Sequence, residues 1–264
     1  MGEARRLSLI LERAEADEAT PLSSLDEVIE LFDAAQASPG GGPEIEAVVA
    51  RALDLRAMRL ARLGRTEESL AASDEVVRRF GGRSQVQVAE QVAKALVDKG
   101  QYLGLLGRHR EAIDACEEVL RRFGNMPEPT FARQVGRALT SKAFSLGKRD
   151  LHAEAIEVYE QIIQRLEDSP EPELAALVAL AILSQGFSFG ALASRESELR
   201  LYREVVRRFG TRPETEVAEH VACALMYEGM TLGKIGRPSG SATCSTAALD
   251  NQRAAAELCA LALG

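Results

Sequence analysis

Three histidines are the side chains to consider first, because imidazole serves as a metal ligand and as a general base. His109 and His152 lie 43 residues apart, and Cys223 follows His220 by three residues, so this last pair can share one helix face. A structural zinc site takes four such ligands, and no third or fourth follows the pair with suitable spacing. We therefore predict no metal site, and we expect His109 and His152 to be exposed residues of turns.

Most motifs of common catalytic and nucleotide-binding sites are missing from the sequence. It contains no P-loop, no G-x-G-x-x-G and no H-E-x-x-H. Its one G-x-S-x-G match, Gly186–Gly190, lies within a long apolar stretch and not at a turn between a strand and a helix, which is where that motif carries a nucleophile. Carboxylates are numerous, but they cluster at helix starts and on outward faces, as in Glu67-Glu68 and Glu117-Glu118. Interaction with the helix dipole and solubility account for carboxylates at such positions. The sequence thus predicts neither an enzyme nor a bound cofactor.

Pairs of arginines recur along the chain and could in principle bind a series of phosphates. They are Arg78-Arg79, Arg121-Arg122 and Arg207-Arg208. The 264 residues carry 32 basic and 40 acidic side chains, and the resulting net charge of −8 repels nucleic acid and anionic membranes. We expect these arginines to end helices and to pair with nearby glutamates. The predicted partners exclude nucleic acid and membranes.

Composition indicates a globular protein, since 46% of the residues are hydrophobic and 27% are charged. The four cysteines have irregular spacing without a C-x-x-C, which favours reduced thiols over a disulfide framework or a zinc knuckle. No apolar run near the N-terminus is long enough for a signal peptide. We expect a cytoplasmic protein, and the use of 27 Arg against 5 Lys suggests a GC-rich bacterial gene.

The elements that position these residues follow a repeat of 43 residues. The segment Val76–Gly81 returns nearly unchanged as Val119–Gly124 and as Val205–Gly210, with a diverged copy at 162–166. Within each unit the apolar residues recur at spacings of three and four, which is typical of amphipathic helices. One helical hairpin cannot bury its own apolar stripe, so neighbouring hairpins must stack around a continuous core rather than form two globules.

Local signals place the ends of these helices. Pro-Glu pairs such as Pro43-Glu44 open the first helix of a unit, where a missing N–H is tolerated and negative charge is favourable. Gly64 and Gly107 mark the turn between the two helices. Gly81 follows the second helix, and we expect it to cap that helix in the left-handed conformation.

This pattern predicts three regions. Residues 1–42 form a divergent capping hairpin and residues 237–264 a divergent tail, with a repeat array between them. The array consists of units near 43–84, 85–128, 129–171 and 172–213, and of the first helix of a fifth unit at 214–236. The tail is either a capping helix or a sequence altered by a frame shift or truncation.

The repeat units resemble the tetratricopeptide repeat (TPR) family, in an elongated form. The residues that carry the resemblance are Leu96, Gly100, Leu103, Gly107, Glu111-Ala112-Ile113 and Val119 in the second unit, and Leu139, Ala143, Leu146, Ala155-Ile156, Tyr159 and Ile162 in the third. The resemblance implies an all-α, right-handed superhelical solenoid of antiparallel helical hairpins. It also implies that the first helix of each hairpin lines a concave groove.

Carried onto this sequence, the groove would have a basic and an apolar part. We predict that its lining includes Arg51, Met58, Lys94, Gln101, Arg137, Phe144, Leu180, Leu183, Phe187, Met226 and Met230. The cations would hold acidic groups of a partner and the apolar side chains would hold large apolar anchors. The alternative is that the Phe and Met residues pack between neighbouring first helices or lie under the tail.

The sequence therefore predicts a non-catalytic interaction scaffold that binds a peptide or protein segment. The alternative function is a structural or regulatory segment of a larger assembly, acting through self-association or by docking an effector domain. The sequence leaves the oligomeric state open.

Overall fold

The computed structural model describes residues 3–17, 21–36, 43–169 and 171–235, which form helices joined by short turns without any strand. The helices of these ranges are α1 (Glu3–Ala16), α2 (Leu22–Gln36), α3 (Pro43–Arg62), α4 (Thr66–Phe80), α5 (Val86–Leu105), α6 (His109–Phe123), α7 (Pro129–Gly147), α8 (His152–Leu166), α9 (Pro172–Ala191), α10 (Arg195–Phe209) and α11 (Thr215–Ile235). Consecutive helices pack against each other. The prediction of an all-α fold built as a helical repeat solenoid is confirmed. Both readings of the tail at 237–264 concern residues outside the described ranges.

Contacts divide the chain into two compact units, Met1–Ser141 (unit 1) and Lys142–Gly264 (unit 2), with the boundary inside α7. In unit 1 a hydrophobic core runs from α1 and α2 through α3–α6 into α7, with Leu7, Phe32, Phe80 and Phe131 among its fully buried side chains. In unit 2 the core side chains include Tyr159, Ile182, Tyr202 and Phe209. The repeated aromatic position near the end of the second helix is buried in both units, as the period requires.

The predicted helix starts and turns lie close to their expected positions. Prolines 43, 129 and 172 are each the first residue of their helix, and α11 starts two residues after Pro213. Gly64 and Gly107 take a backbone φ of +74°, which an L side chain rarely adopts. The equivalent positions 43 residues further on are Asp150 and Ala193, with φ near +60°. The turn therefore keeps its positive φ at positions 150 and 193, although glycine is replaced there by Asp and Ala.

The expectation of a left-handed cap at Gly81 is wrong. Gly81 has φ −57° and ψ −23°, and its N–H donates to the Val77 carbonyl oxygen, so the helix continues through it. A Cβ at Gly81 would lie 2.4 Å from that same oxygen. Gly124 and Gly210 repeat this arrangement. A positive φ is therefore not the reason for glycine here, and in the diverged copy Glu167 holds the equivalent position with φ −61° and ψ −30°.

Small residues recur where the two helices of a hairpin cross. A Cβ on Gly100 of α5 would lie 2.8 Å from the Cys116 sulfur of α6, and one on Gly186 of α9 would lie 2.6 Å from the Tyr202 ring of α10. The absence of a side chain at these positions lets the helices of each hairpin approach closely, which seats the large partner side chain in the core.

The arginine pairs end the second helices and bond to nearby glutamates, as the sequence predicted. The first arginine of each pair bonds to the glutamate three residues earlier, as Arg78 does to Glu75. The second reaches back to the preceding second helix: Arg79 bonds to Asp33 at 2.5 Å, Arg122 to the Gly81 carbonyl oxygen, and Arg208 pairs with Glu167. Hydrogen bonds from the arginines lower the pKa of Glu75 and of Glu204 to about 2. These contacts tie each second helix to the one before it within a unit.

Candidate functional site

A groove of about 530 Å³ opens on unit 1, between four helices that all hold the first position of a hairpin. Its walls come from α1, α3, α5 and α7, and its lining residues are Ala14, Glu15, Arg51, Asp54, Leu55, Met58, Arg59, Arg62, Glu90, Gln91, Lys94, Arg133, Gln134 and Arg137. Six of these side chains are cationic and three are carboxylates. The groove is therefore positive, although the chain as a whole is negative.

Ion pairs join the successive first helices along this groove. They are Arg51–Glu15 at 2.8 Å between α3 and α1, Lys94–Asp54 at 2.5 Å between α5 and α3, and Arg137–Asp98 at 2.8 Å between α7 and α5. In each pair the later helix supplies the cation and the earlier helix the carboxylate. Because the three cations are 43 residues apart, the pairs form a ladder with one rung per repeat.

This ladder corrects the expected role of two of the predicted groove cations. Asp54 and Asp98 are each only 3% exposed, and Lys94 and Arg137 are their ion-pair partners. A buried carboxylate holds its cation firmly, since neither charge can regain full hydration in place. Lys94 and Arg137 therefore contribute first to helix stacking, whereas Arg51 is more exposed and pairs with a partly exposed Glu15.

Met58 and Gln101 are the two other residues of unit 1 that the sequence predicted to line the groove, and both lie near these pairs. Met58 lines the groove and is partly exposed. Gln101 is exposed, and its side-chain oxygen accepts a hydrogen bond of 3.3 Å from Arg137. Arg59 of α3 donates to the carbonyl oxygens of Ala14 and Asp17, at the end of α1. The end of α1 is thereby fixed against α3, where it forms one wall of the groove.

Burial raises the pKa of Asp54 to about 6. Lys94 opposes this shift, because a nearby positive charge favours the ionised carboxylate, and Asp98 adds to it through its own negative charge. The groove thus contains a carboxyl group that titrates close to neutral pH. The sequence placed Asp54 on the groove face of its helix, but it did not predict that this carboxyl group is buried or that its pKa is raised.

A signal for the ladder was present in the sequence. Asp54 follows Arg51 by three residues, and Asp98 follows Lys94 by four. Helices α3 and α5 therefore each carry a cation and, one turn later on the same side, an acid. Stacking at a period of 43 residues brings that acid beside the cation of the next first helix.

In unit 2 the predicted groove positions are apolar and lie at different depths. Phe144, Phe187 and Met230 are 52%, 41% and 43% exposed, whereas Leu180 and Met226 are partly buried. Leu183 is only 4% exposed, so its predicted place in the groove lining is wrong. It belongs to the core of unit 2 because its side of α9 faces the packed helices.

The exposed apolar side chains of unit 2 are held by specific contacts. The Phe187 ring packs edge-on against Tyr227 at 4.4 Å and against Tyr202 at 5.8 Å. The Phe144 ring carries the Lys148 ammonium 5.2 Å from its centre. We refer to Phe144, Phe187 and Met230 as the apolar patch of unit 2. Packing explains why Phe187 stays fixed while part of its ring remains accessible.

The histidines differ from their expected positions. His109 and His152 are the first residues of α6 and α8 and are partly buried rather than exposed. Burial lowers the pKa of His220.

Within the described ranges no three side chains among His, Cys, Asp and Glu come together as metal ligands. In the same ranges α9 is long and apolar enough to cross a membrane, and 61% of its 18-residue apolar window is buried inside the protein.

Comparison with known proteins yields a structural match. No protein-family model matches the chain, and no curated protein matches it by sequence. Among solved structures, BtubC (BKLC) from P. vanneervenii is similar, with a TM-score of 0.64 and 14% sequence identity. The match covers 96% of this chain and 92% of BtubC. At this identity the match shows a shared fold.

Proposed function

We propose that this protein is a non-catalytic, TPR-like scaffold whose unit 1 groove binds an acidic segment of a partner protein. The observation that carries the proposal is the concentration of cations in the groove of a chain with net charge −8. Binding of a flexible acidic segment to such a concave positive surface gains from complementary potential and from charge-assisted hydrogen bonds.

Three groove arginines are suited to contact such a ligand. Arg51, Arg62 and Arg133 are exposed and lie on α3 and α7, on opposite walls of the groove. Arginine presents a planar fork of donors that can hold a carboxylate through two hydrogen bonds. Lys94 and Arg137 add positive potential from the floor, while their own bonds remain with Asp54 and Asp98.

Reversal of the three exposed charges tests the proposal. We expect acetyl-hexa-aspartate amide to bind the wild-type protein in isothermal titration calorimetry at low salt. In the variant Arg51→Glu/Arg62→Glu/Arg133→Glu the affinity should fall at least tenfold, because three attractive contacts become repulsive. The buried carboxylates keep their partners in this variant, so the thermal midpoint should change little.

A matched control changes the same net charge elsewhere. Arg78, Arg121 and Arg207 are exposed at the ends of second helices, and the variant that carries Glu at all three should bind the peptide nearly as well as the wild type. Equal losses in both variants would mean that overall charge, and not the groove, determines binding. Absence of binding to the wild-type protein would contradict the proposed function.

The apolar patch of unit 2 favours a second candidate function, self-association or docking of another domain. Exposed aromatic and methionine side chains are typical of interaction surfaces, and here they stand at equivalent repeat positions of α7, α9 and α11. If copies associate through this patch, the mass measured by light scattering should rise with concentration. Phe187→Ser/Met230→Ser should then abolish the rise. A constant monomer mass at high concentration would contradict self-association.

A further inference from the structure

Two buried carboxyl groups lie beside the floor of the unit 1 groove, and one of their oxygens lacks a hydrogen-bond partner. Asp54 and Asp98 are each 3% exposed and lie within hydrogen-bonding reach of one another. Lys94 bonds to Asp54 and Arg137 bonds to Asp98 Oδ1, but Asp98 Oδ2 is buried without a donor. A buried acceptor in this position is costly unless a proton or a cation satisfies it.

A proton fits this position better than a cation does. Two carboxylates accept hydrogen bonds and cannot donate to one another, whereas a protonated Asp54 supplies the O–H donor that Asp98 lacks. Lys94 and Arg137 already place two positive charges at the pair, which disfavours entry of a third. The pKa of Asp54, raised to about 6, agrees with a carboxyl group that takes up a proton as the pH falls below neutral.

We infer that the Asp54–Asp98 pair takes up one proton when an acidic segment binds in the unit 1 groove, so that binding tightens as the solution becomes more acidic. The inference rests on the proposed function. Protonation removes one negative charge beneath the groove and raises its positive potential. In turn, a bound anionic segment favours the protonated pair, because linkage between two binding events is reciprocal.

Charged groups on every helix packed against α3 bear on this titration. Three carboxylates accept hydrogen bonds from arginines: Glu15 of α1 from Arg51, Asp26 of α2 from Arg56, and Glu68 of α4 from Arg65. On α5, Lys94, Asp98 and Tyr102 face Asp54. The first three carboxylates are neutralised by their own arginines and lie at more exposed positions. Desolvation raises the pKa of Tyr102, so this phenol stays neutral below pH 8. The raised pKa of Asp54 places its change of charge between pH 7.5 and pH 5.5.

The expected effect follows from removal of one charge close to the ligand. Within a Debye length, loss of a unit charge of the same sign as the ligand strengthens binding about five- to tenfold at low salt. Aspartate in a peptide has a pKa of about 3.9, so hexa-aspartate keeps its charge over this interval. Any tightening toward pH 5.5 thus comes from the protein.

Calorimetric titration of hexa-aspartate at pH 7.5 and pH 5.5, at constant ionic strength, tests the inference. The wild-type affinity should increase about five- to tenfold at the lower pH. Asp54→Asn cannot ionise, so it should bind equally well at both pH values, with an affinity near that of the wild type at pH 5.5. Asp74→Asn removes an exposed carboxylate that pairs with Lys99 on another face, and it should keep the wild-type response.

A second readout needs only the wild-type protein. Titrations at pH 6.5 in two buffers with different ionisation enthalpies give the number of protons bound per peptide, which should be positive and no more than one. Binding that is independent of pH, or that takes up no proton, would overturn this inference and leave the proposed function standing. Absence of binding at both pH values would overturn both.

Discussion

Replacement of Phe123 by alanine is expected to lower the free energy of unfolding by about 3 to 5 kcal/mol. Phe123 ends α6, is buried in the core of unit 1, and its ring stacks on Phe131 of α7 with centres 5.3 Å apart and planes 2° apart. The substitution removes the ring from between two successive repeats and leaves a cavity that rigid helices fill only in part. Urea unfolding measures the change.

Phe144→Ala is the matched control, because it deletes the same atoms from a ring that is half exposed. Its cost should stay below about 1 kcal/mol, since little apolar surface returns to water. A loss below about 1 kcal/mol for Phe123→Ala, or equal losses in both variants, would mean that the repeated phenylalanine does not stabilise the stacked hairpins.

Replacement of Arg137 by methionine is expected to cost about 3 kcal/mol at pH 7.5. Methionine keeps much of the apolar stem of arginine, so the change mainly removes the positive charge that partners Asp98. The Asp98 carboxylate is buried, and without its cation it must either stay charged in an apolar setting or take up a proton. Thermal unfolding should show the loss as a lower midpoint.

Arg51→Met makes the same replacement on the first rung of the ladder. Glu15 can turn to solvent when its partner is removed, because this pair lies near the surface, and the cost should be below about 1 kcal/mol. A large difference between the two variants supports the assignment of Arg137 to helix stacking. Equal midpoints for Arg51→Met and Arg137→Met would show that burial of Asp98 does not matter to stability.

Much of the fold could be predicted because the repeat is regular. The 43-residue period, the Pro-Glu pairs and the recurrent Phe-Gly ends place the helix bounds from Pro43 onward within a few residues of those observed. Apolar spacing identified the packing face of each helix, and the small residues at Gly100 and Gly186 identified the crossing points. These signals are local in the sequence, so they can be interpreted without knowledge of tertiary contacts.

The electrostatics of the groove could not be predicted in the same way. A pattern on one helix shows which residues share a face, but whether Lys94 points to a ligand or to Asp54 depends on a second helix 40 residues away. The same limit explains Leu183, which has the spacing of a groove residue and lies in the core. The repeat position that holds Arg51, Lys94 and Arg137 is uncharged in the later repeats, where Leu180 and Cys223 occupy it. The ladder of ion pairs is thus a feature of unit 1.

The methionines provide the most direct test of binding in the unit 1 groove. Met58 lines the groove, Met126 packs against the core of unit 1, and Met226 and Met230 belong to α11 of unit 2. We predict that hexa-aspartate shifts the carbon-13 methyl resonance of Met58 in proportion to occupancy and leaves that of Met126 in place. Binding of the peptide with an unmoved Met58 resonance, and with shifts at Met226 or Met230 instead, would contradict the central claim.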